Sequence, residues 1–138
     1  MPGVTAVVLN PARTHLLVVR RADDGRWTPV TGIVDPGEEP AAAAEREVAE
    51  EAGIECTALR LLDMRALPEI TYANGDRAQY LDICFLCEAD DSQRPFPADG
   101  ENTAARWFPL DDPPPMNTRF TEQLALARAP GTETQFRR

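Results

Sequence analysis

Short hydrophobic runs separated by turn-forming residues recur along this chain, and this pattern predicts several β-strands. The predicted strands are Val4–Leu9, His15–Arg20, Glu55–Ala66, Gln79–Glu88 and Ala104–Leu110. The first two flank a turn at Asn10-Pro11, so we expect them to form a hairpin. Asn74-Gly75 is a strong hairpin signal that predicts pairing of Ile70-Thr71-Tyr72 with Gln79–Glu88. The segment Gly131–Arg138 is expected to be frayed.

Two other segments carry the pattern of a helix. Pro40 suits the first turn of a helix, where its missing N–H is no loss, and the four alanines that follow are strong helix formers. Gly53 ends this segment, as glycine often does just past a helix end. At about 100° per residue, Ala44 and Val48 fall on one apolar stripe that can face a core. A second amphipathic helix is predicted over Thr118–Ala129.

Three glutamates lie together on the stripe next to the apolar one. Glu47, Glu50 and Glu51 have i, i+3 and i+4 spacing, and like charges at that spacing repel by about 0.2–0.5 kcal/mol per pair. A hard divalent cation with oxygen ligands, Mg²⁺ or Mn²⁺, removes this repulsion, whereas the alternative is a solvated acidic face. The loop predicted for residues 32–37 favours the metal site, because it can bring a backbone carbonyl close to the cation.

The segment that contains these glutamates matches G-x5-E-x7-R-E-U-x-E-E-x-G-U, where U is aliphatic. The fixed residues are Gly32, Glu38, Arg46, Glu47, Val48, Glu50, Glu51, Gly53 and Ile54. In this box the chain resembles the Nudix hydrolases, and the resemblance is specific because nine fixed positions in one register rarely coincide by chance. It covers nearly the whole chain and implies an α/β (α+β) fold, a Nudix-type α/β/α sandwich with a mixed central sheet. We expect one such domain over residues 1–138.

The resemblance implies hydrolysis of a diphosphate bond in a nucleoside diphosphate linked to another moiety. Glu50 and Glu51 rank first as ligands of Mg²⁺ (or Mn²⁺), with Glu47 next, so that the diphosphate charge is neutralised and a water is oriented. Gly32 would contribute its backbone carbonyl.

The same resemblance concerns three other polar residues in the box and near it, Glu38, Arg46 and Glu101. Arg46 can reach back to Glu38, and this pair would hold the loop against the helix. Family members place the general base differently. Glu101, before the strand Ala104–Leu110, is either an additional catalytic or metal-binding glutamate or an exposed loop residue, and Glu51 is the competing base.

Four residues are candidates for substrate binding, each with an ordinary structural alternative. Arg20 and Arg21 lie where many Nudix proteins hold substrate with basic residues, although an exposed loop explains them equally well. Trp27 could stack on a base or begin a strand in the core. Tyr72 resembles a feature of dinucleoside-polyphosphate enzymes, but Pro68 resembles one of ADP-ribose enzymes. The ending RWF-x-L-D resembles the MutT-like members, which favour nucleoside triphosphates. The substrate therefore remains open at this stage.

Composition narrows the partners and the compartment. The 138 residues are 43% hydrophobic without a run near twenty apolar residues, which predicts a globular protein without a transmembrane helix. A formal net charge of −9 argues against nucleic acid polymers and anionic membranes as partners and leaves a small nucleotide-type molecule. No signal peptide is evident, and three cysteines suggest a reducing cytoplasm. Cys84 and Cys87 should point to opposite faces of a strand, which argues against a zinc or redox pair.

Two rival functions remain on the same fold. An isopentenyl-diphosphate isomerase would need an active-site cysteine and histidine ligands that the strand cysteines and the single His15 do not supply. A noncatalytic nucleotide-binding or regulatory module would usually lack box glutamates, which are all present here. Many relatives dimerise, so a homodimer is compatible with the resemblance, although no interface signature appears.

Overall fold

Ten strands and two helices make up the fold in a computed structural model, which describes residues 1–138. The helices are α1 (Pro40–Ala52) and α2 (Thr118–Arg128). The strands are β1 (Pro2–Leu9), β2 (His15–Arg21), β3 (Trp27–Thr28), β4 (Val30–Ile33), β5 (Thr57–Ala66), β6 (Ile70–Thr71), β7 (Arg77–Ala78), β8 (Leu81–Glu88), β9 (Asn102–Pro109) and β10 (Gln135–Phe136).

Eight of the strands form one mixed sheet in the order β10-β5-β8-β1-β2-β3. Strand β4 pairs with the first half of β1, and β9 pairs with β2 along its length. The β1–β8 and β10–β5 pairs are parallel, and the other pairs are antiparallel. The mixed sheet expected from the sequence is confirmed.

The two helices cover opposite faces of this sheet, as the alternating pattern of β1 shows. Val4 and Val8 pack with Val48 of α1 in one core cluster, whereas Val7 packs with Leu124 of α2 in another. Successive residues of a strand point to opposite faces, so β1 contributes to both cores at once. The α/β/α layering expected from the sequence is therefore confirmed.

Helix α1 begins and ends where its sequence predicts. Pro40 occupies its first turn, and Gly53 follows its last residue in the left-handed conformation with φ of 69°. The Gly53 N–H donates to the carbonyl of Ala49 at 3.1 Å, which closes the last turn. Ala44 and Val48 are buried along the stripe that faces the sheet.

The hairpin predicted at Asn74-Gly75 has the expected turn, but its second strand is not the expected one. The turn at Asn74-Gly75 does join two antiparallel strands, but these are the two-residue strands β6 and β7. Leu81–Glu88 instead pairs with β5 on one side and β1 on the other. A strand that is apolar on both faces is more favourable in the middle of a sheet covered by two helices than in an exposed hairpin.

Four further expectations differ from the structure. Residues 32–37 were expected to form a loop, yet Gly32 and Ile33 belong to β4 and pair with β1. The segment Gly131–Arg138 is not frayed throughout, because Gln135–Phe136 adds a parallel edge strand to β5. The strand expected over Ala104–Leu110 is observed over Asn102–Pro109. The strand expected from Glu55 begins at Thr57.

The cysteines of β8 lie as expected. Cys84 is buried in the cluster that contains α2, and Cys87 is buried in the cluster that contains α1, so the two point to opposite faces. Neither helix has the length and apolar character needed to cross a membrane.

Candidate active site

Gly32 of β4 lies directly against Glu47 of α1. A Cβ atom placed on Gly32 would overlap the carboxyl group of Glu47, so any other residue at this position must displace that side chain. Burial raises the pKa of Glu47, and the neighbouring Arg46 opposes this effect. The absence of a side chain at Gly32 therefore lets the helix bring a half-buried carboxylate against the strand.

Arg46 connects the loop before α1 to the glutamates on the helix. Its Nε and Nη2 atoms donate to the two carboxylate oxygens of Glu38 at 2.8 and 2.9 Å, and Nη2 also donates to the carbonyl of Ile33 at 3.0 Å. Its Nη1 donates to Glu47 at 3.0 Å and to Glu50 at 3.1 Å. The two-pronged contact with Arg46 is the main reason that the pKa of Glu38 falls to about 2.

Glu51 is the buried carboxylate of the site. Only 6% of the residue is exposed, Oε1 accepts a hydrogen bond from Asn102 Nδ2 at 3.0 Å, and Oε2 is buried without any hydrogen-bond partner. Burial raises the pKa of Glu51 to about 8, with smaller contributions from the negative charges of Glu47, Asp99 and Glu101. A buried anionic oxygen without a donor is costly unless a cation compensates it.

The loop after β8 brings two more carboxylates to Glu51. Backbone N–H groups of Phe96 and Ala98 donate to the carbonyls of the last turn of α1 at 3.0 and 3.1 Å. These bonds fix the loop across the end of the helix, so that carboxylate oxygens of Glu51, Asp99 and Glu101 lie within 4.8 Å of one another. The sequence indicated Glu101 as a candidate, but it did not single out Asp99.

This donor set fits a hard divalent cation. The unpartnered oxygen of Glu51 is the observation that argues for one, since it lies among carboxylates that repel each other without a counter-ion. Glu50, ranked among the first ligands from the sequence, has a side chain that is 53% exposed and paired with Arg46. It is not part of the three-carboxylate cluster.

A cleft of about 380 Å³ opens beside Gly32. Its lining residues are Gly3, Val4, Thr5, Arg21, Thr31, Gly32, Ile33, Leu67, Ile70, Tyr80, Asp82 and Arg119. Arg21 is the sequence candidate that lies in it directly, and Nε and Nη2 of Arg21 donate to Asp23 at 3.0 and 2.7 Å. Tyr72 reaches its rim through a hydroxyl–hydroxyl hydrogen bond of 3.0 Å with Tyr80.

The other two substrate candidates lie outside this cleft. Arg20 does not line it, and its Nε donates to the carbonyl of Gly25 at 3.1 Å. Trp27 packs edge-on against Phe108, with ring centroids 5.0 Å apart, next to the core cluster of α2. Trp27 therefore packs at the core, which was the structural alternative to stacking on a base.

Sequence reasoning did not identify several residues that the fold brings to the site. They are Asp99 and Asn102 at the acidic cluster, and Tyr80, Asp82 and Arg119 in the cleft. The position of Asn102 directly after Glu101 was the one feature of the sequence that could have indicated its place in the site. Tyr80 directly precedes β8, Asp82 lies on β8 and Arg119 lies on α2. Nothing in their local pattern indicates that these residues meet.

The comparison with protein families decides the identity of this fold. A family model described as "NUDIX domain" matches residues 1–127. The chain belongs to the Nudix family. The Nudix box thus supplies α1 and its glutamates, and the class expected from the sequence, a hydrolase, is the one that the relatives' names share.

Curated relatives and a solved structure agree with this placement. Nudix hydrolase 6 of Arabidopsis thaliana is 35% identical over 120 residues, which cover 80% of this chain and 39% of that protein. The bis(5′-nucleosyl)-tetraphosphatase [asymmetrical] of Rattus norvegicus is 36% identical over 94 residues, which cover 67% of this chain and 63% of the rat enzyme. An ADP-ribose pyrophosphatase from Streptococcus suis superposes with a TM-score of 0.73 at 25% identity, covering 99% of this chain and 98% of that one.

Proposed function

We propose that this Nudix domain hydrolyses a diphosphate bond in a nucleoside diphosphate linked to another moiety. The observation that carries the proposal is the buried, unpartnered carboxylate of Glu51 beside two further carboxylates, close to a cleft lined by Gly32 and Arg21. The relatives named as pyrophosphatases and a tetraphosphatase support the same bond type. The chain spans 39% of the length of its Arabidopsis relative.

The acidic cluster is proposed to hold Mg²⁺ or Mn²⁺. Glu51 would bind through its free oxygen, with Glu47 and the carbonyl of Gly32 on the side of the cleft and Glu50 at the exposed edge. A bound divalent cation supplies charge neutralisation at the diphosphate and makes a nearby water more acidic. Arg46 and Glu38 hold the loop before α1 against the helix that carries these glutamates.

Substrate binding is assigned to the cleft. Arg21 lies close enough to Glu51 for the negative charge of Glu51 to raise the pKa of Arg21, after the larger effect of Asp23. It is therefore placed to bind a phosphate group that also contacts the cation. Glu101 is exposed at the same cluster and is the proposed proton acceptor for the attacking water, whereas Glu51 is committed to the cation.

The test is product release from a panel of nucleoside diphosphate derivatives with Mg²⁺, with Mn²⁺ and with EDTA. The panel contains nucleoside triphosphates, ADP-ribose, nucleotide sugars, dinucleoside polyphosphates and NADH. Glu51→Gln keeps the size of the side chain and removes its charge, and Glu39→Gln makes the same exchange at an exposed position before α1.

We expect turnover that EDTA abolishes, that Glu51→Gln lowers at least 100-fold, and that Glu39→Gln leaves unchanged. Binding of nucleotides without any turnover would replace the hydrolase with the noncatalytic module. Turnover that survives both EDTA and Glu51→Gln would place the chemistry elsewhere in the chain.

A further inference from the structure

Arg119 of α2 is the second guanidinium in the cleft, and the acidic cluster does not involve it. It reaches across the sheet to Asp82 of β8, with Nη1 at 3.0 Å from Asp82 Oδ2. Nη1 also lies 3.4 Å from the hydroxyl of Thr5 on β1. Strands β4 and β8 flank β1 on opposite sides, so Gly32 and the Asp82 that holds Arg119 are about 10 Å apart, the width of two strand spacings.

Asp82 is a fixed anchor for this arginine. It is 3% exposed and accepts hydrogen bonds from the Thr5 hydroxyl at 2.7 Å and from Gln123 Nε2 at 2.6 Å, in addition to the ion pair. The guanidinium of Arg119 also lies 4.3 Å from the ring centroid of Phe120. These contacts restrict the rotamers of Arg119 before any ligand binds, so less conformational entropy is lost on binding.

Part of the Arg119 fork remains available to a ligand. The polar contacts of Arg119 with Thr5 and Asp82 both use Nη1. Its Nε and Nη2 have no acceptor in the protein, although the side chain is only 23% exposed. Guanidinium carries donors and no acceptor. A group that binds here must therefore present acceptors, ideally two side by side.

The remainder of the cleft favours a nucleobase over a second phosphate at this position. Leu67, Ile70 and the ring of Tyr80 line it together with Arg119. A flat heterocycle can lie against the aromatic and aliphatic side chains, whereas a phosphate would have to lose water against them. Asp82 next to Arg119 also repels a phosphate and does not repel a neutral base.

We propose that Arg119, held by Asp82, selects a 6-oxopurine base. The O6 and N7 atoms of such a base form an adjacent acceptor pair that matches the donors of a guanidinium. Adenine presents an N6 amino donor in place of O6, so donor would face donor and both would stay unpaired. This inference rests on the proposed function only in placing the nucleoside in the cleft, and it does not require turnover.

The test measures binding of GMP, IMP and AMP to the whole chain by calorimetry or ligand-observed NMR, with EDTA present. GMP and IMP share the O6/N7 edge, so each should bind at least about 10-fold more tightly than AMP. Arg119→Gln offers one acceptor and one donor, which suit the N6/N7 edge of adenine, and should reverse the order of GMP and AMP. Arg119→Lys keeps the charge beside Asp82 but loses the fork, and should reduce the preference without reversing it.

The outcomes separate this inference from the hydrolase proposal. Three results would overturn the assignment of Arg119: equal affinity for GMP and AMP, a preference for AMP, or no binding of either. None of these results depends on whether the protein shows turnover, so the hydrolase proposal is tested separately. An unchanged GMP preference in folded Arg119→Lys would overturn it as well, and that variant decides the matter if Arg119→Gln does not fold. A residue with only a structural role would change the melting temperature without reversing the base preference.

Discussion

Replacing the buried carboxylate of the site should stabilise the metal-free protein while removing its function. Glu51 has an ordinary pKa of 4.5 that burial raises to about 8, so the folded state retains a proton that the unfolded chain has released. The free energy of unfolding therefore falls as the pH rises from about 4.5 to about 8. Glu51→Gln is neutral at every pH and keeps an acceptor for the amide of Asn102.

The size of the effect follows from that pKa difference. At 1.36 kcal/mol per pKa unit the ceiling is roughly 5 kcal/mol, and relaxation and water entry reduce the expected gain to about 2–3 kcal/mol above pH 8. For a chain of this length that gain corresponds to a rise in melting temperature of about 8–12 °C. Near pH 4.5 the unfolded carboxyl is already about half protonated, so the difference between variant and wild type should be small.

The assay is thermal or urea unfolding in EDTA at pH 5 and pH 9, for wild type, Glu51→Gln and the exposed control Glu39→Gln. Mg²⁺ or Mn²⁺ should then raise the melting temperature of the wild type and not that of Glu51→Gln, since ligand binding stabilises only the form that binds. The reasoning would be refuted if Glu51→Gln were less stable than the wild type at pH 9. It would also be refuted if the difference in stability between the two proteins did not depend on pH.

Three further outcomes are expected. Arg46→Lys should lower stability by about 1–2 kcal/mol in urea unfolding, because an ammonium cannot make the two-pronged contact with Glu38, and an equal melting curve would contradict this. Gly32→Ala should raise the Mg²⁺ concentration needed for half-maximal turnover, because the new Cβ displaces the Glu47 carboxyl group, whereas an unchanged titration would show that the carboxylate moves freely. Asn102→Ala removes the donor to the buried glutamate and so raises the folded-state pKa of Glu51 further. In unfolding curves the loss of stability of the metal-free protein should then continue to a higher pH than in the wild type, and an unchanged pH profile would contradict this.

The sequence by itself determined the parts of this protein that depend on local chemistry. Pro40, the alanine run and Gly53 set the limits of α1, because helix initiation, propagation and termination are decided within a few residues. The spacing of Glu47 and Glu51 within that helix likewise follows from its geometry. The Nudix resemblance rests on the same contiguous segment, so it too could be read without the fold.

Only the tertiary structure decided which of these residues are buried and what they meet. Glu50 and Glu51 are adjacent in sequence, yet one is exposed and the other has Asn102 and a distant loop packed over it, because burial depends on what packs against each helix face. The partner of β8 was mispredicted for a related reason. Pairing with β1 joins segments far apart in the chain, and no turn signal encodes that contact. The ion pair of Arg119 with Asp82 arises in the same way, since α2 and β8 are distant in the chain and meet only in the folded protein.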